Sequence, residues 1–115
     1  MDDLPLTIKT FPGQHAGQLV IALSGPLTLN TALDFHDVVR AEKARSMIID
    51  MSEVPYVDSA GLASIMGAHI SCANSGRRFA LAGVRDNVRR MIRVAGVEQV
   101  LAIFPTVQEA QQNLA

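Results

Sequence analysis

The chain lacks the marks of secretion, of a membrane span and of bulk attraction to nucleic acid. It has a single cysteine, Cys72, so no internal disulfide can form, and a reducing compartment fits that usage. The start, Met1-Asp2-Asp3-Leu4-Pro5, is acidic and short of apolar residues. A secretory peptide needs a basic start followed by an apolar stretch. No run approaches the ~20 apolar residues that cross a bilayer. Charge of one sign is missing too: Lys+Arg number 10 and Asp+Glu 11, for a net charge of -1. Neutralising a phosphate backbone needs a clear basic excess. These absences predict a cytoplasmic protein with no nucleic-acid partner and no direct membrane insertion.

Catalytic and metal-binding patterns are also absent. His15, His36 and His69 fall in a loop, a first helix and a second helix, and no two are four residues apart. His69 projects near the apolar stripe of its helix, where a partly buried, hydrogen-bonded imidazole is the plain expectation. Cys72 follows it by three residues, close enough to touch. A cysteine on a helical core face acts as a small hydrophobe, whereas a nucleophile needs exposure and a lowered pKa. No glycine-rich segment has the spacing that cradles phosphates. No enzyme activity, metal or cofactor is therefore expected. Arg85, Arg89, Arg90 and Arg93 form a basic stripe that reads equally as an acidic-partner surface or as a solvated helix face.

What the chain has is enough apolar material for one core: 115 residues, 49% of them hydrophobic. Leu4, Leu6 and Ile8 alternate with Pro5, Thr7 and Lys9, the period of a half-buried strand. Leu19 to Leu23 is continuously apolar, as for a strand covered on both faces, and the two runs predict a hairpin around Pro12-Gly13 and Gly17. Ser24-Gly25-Pro26 ends it. Asn30 is placed to cap a helix through Phe35, Val38 and Val39, with Ala32 or Leu33 preceding them. Met47-Ile48-Ile49 reads as a buried strand closed by Asp50.

A second helix follows the loop Ser52 to Asp58 and carries Leu62, Ile65, Met66, Ile70 and Ala73. Gly76 is set to end it in the left-handed conformation. Phe79 to Ala82 is a further strand. Val88, Met91, Ile92 and Ala95 mark an amphipathic helix stopped by Gly96. Val100 to Phe104 predicts a last strand, and Thr106 with Glu109 a capping box for a last helix. Strands alternating with helices require crossovers. The pattern predicts one α/β domain over 1–115: a mixed, mostly parallel sheet of about five strands, its first strand antiparallel, with about four helices.

The informative stretch runs from Met47 to Ala63. A buried strand delivers the chain to a loop at its carboxyl end, where partners meet open α/β sheets, and Asp58-Ser59 then opens a helix. Chemistry alone leaves two readings of Ser59: a helix cap that accepts orphan amide hydrogen bonds, or a functional hydroxyl.

Val57-Asp58-Ser59-Ala60-Gly61-Leu62 after a hydrophobic strand, with a small-residue helix behind it, resembles the signature of the STAS family. Within that family the resemblance is to the anti-sigma factor antagonists of bacterial stress and sporulation switches. It extends to Gly25, to Leu81-Ala82-Gly83-Val84, to Ala95-Gly96 and to Thr106-Val107-Gln108-Glu109-Ala110. It implies the STAS fold and a non-catalytic role. It further implies an anti-sigma factor that is also a serine kinase as partner, Ser59 as the phosphorylated residue, and a serine phosphatase that reverses the modification.

The implied partner surface is Asp58, Ser59, Ala60, Gly61 and Leu62, with Thr28, Asn30 and Thr31 from the loop after the second strand. A homodimer stays open. This chain has Ala60 where many members carry a second serine, and Pro26-Leu27-Thr28 after Gly25 where members often carry acids. A permanently bound transporter subunit, a stress-complex scaffold and a ligand-binding module are the alternative roles.

Overall fold

The computed structural model describes residues 4–115. Five strands form one sheet in the order β1-β2-β3-β4-β5. β1 (Thr7–Pro12) pairs antiparallel with β2 (Gln18–Ser24). β3 (Ser46–Glu53), β4 (Arg78–Ala82) and β5 (Ile103–Phe104) continue the sheet in parallel. Four helices, α1 (Ala32–Ala41), α2 (Ser59–Asn74), α3 (Asp86–Val94) and α4 (Val107–Asn113), supply the connections and the chain end.

Strand alternation divides the core in two. Met47, Ile49 and Met51 of β3 face one side with Ile21, Leu23, Phe79 and Leu81, and pack against Phe35, Ile65 and Ile92 of α1, α2 and α3. Ile48 faces the other side with Val20, Ala80 and Ala82, under Ala110 and Leu114 at α4. Alanines at the crossing let that short helix lie close. Each fully buried Leu, Ile or Met contributes about 2 kcal/mol.

The expected sheet and helices are all present, with shifts that have local causes. The first strand begins at Thr7, and Leu4 stands half-exposed before it. The cap position of α1 belongs to Thr31, one residue after Asn30. The last strand is two residues long, and Val97 to Leu101 before it form a turn in which Val100 N–H donates to Val97 C=O at 3.1 Å. Val97 N–H donates to Ile92 C=O at 3.2 Å and Leu101 N–H to Val97 C=O at 3.3 Å. Glu98 pulls that turn onto α3 by pairing with Arg89 at 3.2 Å and Arg93 at 3.6 Å, so the basic stripe is in part balanced within the chain.

Gly76 and Gly96 end their helices at positive φ, as their sequence positions predict. Thr106 Oγ1 accepts from Glu109 N–H at 3.1 Å, closing the cap of α4. The buried Gln18 and Gln111 tie the β1–β2 turn to α4: Gln18 Nε2 donates to Gln111 C=O at 2.8 Å, and Gln111 Oε1 accepts from Gln14 N–H at 3.0 Å.

Candidate functional site

Two loops meet at the carboxyl ends of β2 and β3. Their pairing outlasts the strands. Gly25 N–H donates to Glu53 C=O at 3.0 Å, Leu27 N–H to Tyr56 C=O at 3.2 Å, and Asp58 N–H to Leu27 C=O at 3.3 Å. Leu27 and Val57 thus form an isolated parallel bridge. Leu27 is fully buried and pins the β2–α1 loop to the core.

Asp58 joins the loops a second time, by its side chain. Oδ1 accepts from Gly61 N–H at 2.8 Å and caps α2, while Oδ2 accepts from Leu29 N–H at 3.1 Å. One carboxylate satisfies an orphan amide of the helix and an amide of the neighbouring loop. Gly61 permits the approach. A Cβ there would fall on the Leu27 carbonyl oxygen and within 2.9 Å of Val57 Cγ1.

Thr31 holds the other side of the β2–α1 loop. Its buried hydroxyl donates to Pro26 C=O at 2.8 Å and accepts from Thr28 N–H at 2.9 Å. Thr31, Gly61 and Leu62 are buried, so in this conformation they frame the site and offer no open surface. Thr28, Asp58 and Ala60 are half-buried, and Asn30 and Ser59 are exposed.

Ser59 occupies the first position of α2, one residue inside the cap. Because Asp58 caps the helix, the capping explanation of Ser59 does not hold. Its side chain is exposed and has no hydrogen-bond partner among the described residues. The backbone amides of the first turn lie beneath it, at the end of the helix that favours an anion.

The helix that starts there is unusual in charge. Its sixteen residues contain no Asp, Glu, Lys or Arg, and its outward positions include Ala63, Gly67 and half-exposed Ile70. Leu29 and Leu33 stand 75% and 67% exposed, and Tyr56 44%, and Leu29 is tied to the site by its amide bond to Asp58. The sequence reading missed Leu29, and it placed Leu33 as an alternative on the buried face of α1. The available signal was a leucine in a polar loop, out of phase with Phe35 and Val39.

The remaining chemistry-bearing residues lie elsewhere. Cys72 is fully buried with its Sγ 4.0 Å from Met47 Sδ; burial raises its thiol pKa, with Arg77 pulling the other way. The expected hydrogen bond of His69 is missing at Nδ1, which is buried without a partner among the described residues, and its ring meets Phe79 edge-on at 6.1 Å. Among the described residues no group of three or more His, Cys, Asp or Glu is placed to hold a metal ion, and no helix is long and apolar enough to cross a membrane.

Comparison with known proteins agrees with this architecture. The Anti-sigma-B factor antagonist of Listeria monocytogenes is 28% identical over 113 residues, covering 98% of this chain and 99% of that protein. The crystal structure of an anti-sigma factor antagonist from Mycobacterium paratuberculosis superposes with a TM-score of 0.80, at 22% identity over 94% of each chain. The Bacillus cell fate determinant SpoIIAA in its phosphorylated form superposes with a TM-score of 0.75, at 15% identity, covering 95% of this chain and 100% of that one. The family description "STAS domain" matches residues 10–110, nearly the whole chain, and the chain belongs to the STAS domain family.

Proposed function

We propose that this protein is an anti-sigma factor antagonist, a binding switch set by phosphorylation of Ser59. In the unmodified state it docks an anti-sigma factor that is also a serine kinase, and so releases a sigma factor; the kinase modifies Ser59 and a serine phosphatase restores it. The docking surface is built from Asp58, Ser59 and Ala60 with Thr28 and Asn30, on the frame of Thr31, Gly61 and Leu62, and extends over Leu29 and Leu33.

The observation that carries this reading is the exposed, uncommitted hydroxyl of Ser59 beside an aspartate that already caps the helix. The named relatives and the fold neighbour captured in a phosphorylated form support it.

The physics of the switch follows from position. Phosphorylation adds about -1.5 to -2 charges at neutral pH. At the start of α2 the macrodipole offsets part of the repulsion from Asp58, by roughly 0.3–1 kcal/mol, so the fold tolerates the dianion. A partner seated on an uncharged helix and two leucines does not. Desolvating the dianion against such a surface at a cost of about 3 kcal/mol weakens binding more than 100-fold.

The test is recovery of the native protein with its bound partners, followed by mass spectrometry of both partner and Ser59. A serine kinase in the complex and phosphate on Ser59 in the unbound pool support the switch. A transporter ATPase or a stress-complex scaffold, with Ser59 unmodified, replaces it by one of the alternative roles.

A further inference from the structure

α1 and α2 lie side by side on one face of the sheet, where Phe35 and Val39 of one share a core with Ile65 and Ala68 of the other. Each connects two neighbouring parallel strands, so the two helices run in the same direction. Their seam is open to solvent. A cavity of about 80 Å³ lies in it, floored by the buried Val39 and Ala68. His36 and Arg40 of α1 form one wall, and Ser64, Gly67 and Ser71 of α2 the other.

The seam leads to the Ser59 surface. Leu33, His36 and Arg40 follow one another at the i, i+3, i+7 spacing of a single face of α1. Ala60, Ser64, Gly67 and Ser71 do the same on α2, at i, i+4, i+7 and i+11. Leu33 and Ala60, where the two rows begin, already belong to the docking surface.

Size, backbone and charge together select the occupant. Ligand pockets run to about 300–1,000 Å³. A cavity of about 80 Å³ takes a single side chain instead. Gly67 keeps the seam shallow: a Cβ there meets nothing within 4 Å, so no packing inside the chain requires a glycine, and a second backbone can approach closely. α2 carries no charged residue, and no carboxylate lines the cavity among the described residues. The Arg40 guanidinium makes no hydrogen bond or ion pair with those residues, whereas His36 has Asp37 at 3.7 Å and Arg89 and Arg93 share Glu98. The Ser71 hydroxyl is also unpartnered among them. An unpaired guanidinium beside a free hydroxyl fits one carboxylate.

We propose that a helix of the anti-sigma partner lies along the α1–α2 seam and sets one Asp or Glu side chain into the cavity, on Arg40 and Ser71. Apolar positions of that helix rest on Leu33 and Gly67, the helix-in-groove mode of recognition. The assignment rests on the role proposed for the Ser59 surface and extends that surface by about three turns of α2.

Calorimetry with the anti-sigma partner recovered in complex with the protein tests this. Gly67→Gln fills the seam and Arg40→Glu reverses its charge. Each should weaken binding by at least about tenfold, the scale of a lost charge-assisted contact. The thermal midpoint should be equal to or above the parent's in Gly67→Gln, since glutamine is the better helix former, and within a few degrees of it in Arg40→Glu. Lys in place of one acidic residue of the partner's helix should restore Arg40→Glu by a similar factor, which a structural role of Arg40 would not allow. Full affinity in both variants, or no rescue at any acidic residue of the partner, overturns the seam; the switch then stands if phosphate on Ser59 still weakens binding. Weakened binding in both variants, with rescue but no effect of phosphate, keeps the seam and overturns the switch.

Discussion

The Asp58 carboxylate reaches across to Leu29, accepting from its backbone N–H at 3.1 Å while its other oxygen caps α2 at Gly61. The β2–α1 loop and the start of α2 are therefore one rigid unit. Asp58→Ala removes both bonds, and we expect a loss of about 1–2 kcal/mol in urea unfolding. Asp58→Asn keeps an acceptor for one amide and should lose about half as much or less. Equal stability of Asp58→Ala and the parent would mean that the loops are held by Leu27 alone.

Two glycines of α2 give opposite expectations. A Cβ at Gly61 collides with the Leu27 carbonyl, and the backbone there has no flexible end to yield. Gly61→Ala should cost about 2 kcal/mol or more and disturb the β2–α1 loop. A Cβ at Gly67 meets nothing within 4 Å. Gly67→Ala should therefore stabilise by roughly 0.5–1 kcal/mol, the difference in helix propensity. Thermal or urea unfolding of the pair checks both signs at once.

Burial raises the Cys72 thiol above its ordinary 9.0, which makes stability fall at alkaline pH. In the unfolded chain the thiol ionises near 9.0; in the folded chain it stays protonated to higher pH. The native state thus holds the extra proton in that window, and stability present below about pH 9 is lost as pH rises toward the folded value. Urea midpoints at about pH 8 and about pH 10 should differ in the parent and differ less in Cys72→Ala. The same burial should keep Cys72 inert to thiol reagents until the protein unfolds.

Much of the fold was legible because the apolar residues repeat with two clean periods. Val88, Met91, Ile92 and Ala95 describe α3, and Met47 to Ile49 a strand covered on both faces. The left-handed ends at Gly76 and Gly96 followed from residue type. The extent of β5 was not legible, since a strand and a turn that bonds to itself can share the apolar residues Val97, Val100 and Leu101.

At the site, Asp58-Ser59 announced a helix start, but sequence could not say which residue caps it. Both accept hydrogen bonds at that place, and in the structure Asp58 takes the extended cap position with its Oδ1 on Gly61 N–H. Gly61 and Thr31 stood out by pattern alone. The work of Gly61, a close backbone approach, depends on Leu27 far away in the chain, and that of Thr31 on how its hydroxyl closes the loop onto Pro26 and Thr28.

Affinity for the anti-sigma partner, measured by calorimetry with unmodified protein and with protein carrying phosphate on Ser59, bears most directly on the switch. Binding more than about 100-fold weaker after modification, with the thermal midpoint held to within a few degrees, is the expected result. Equal affinity of the two forms, or a modified protein that has simply lost its fold, would contradict it.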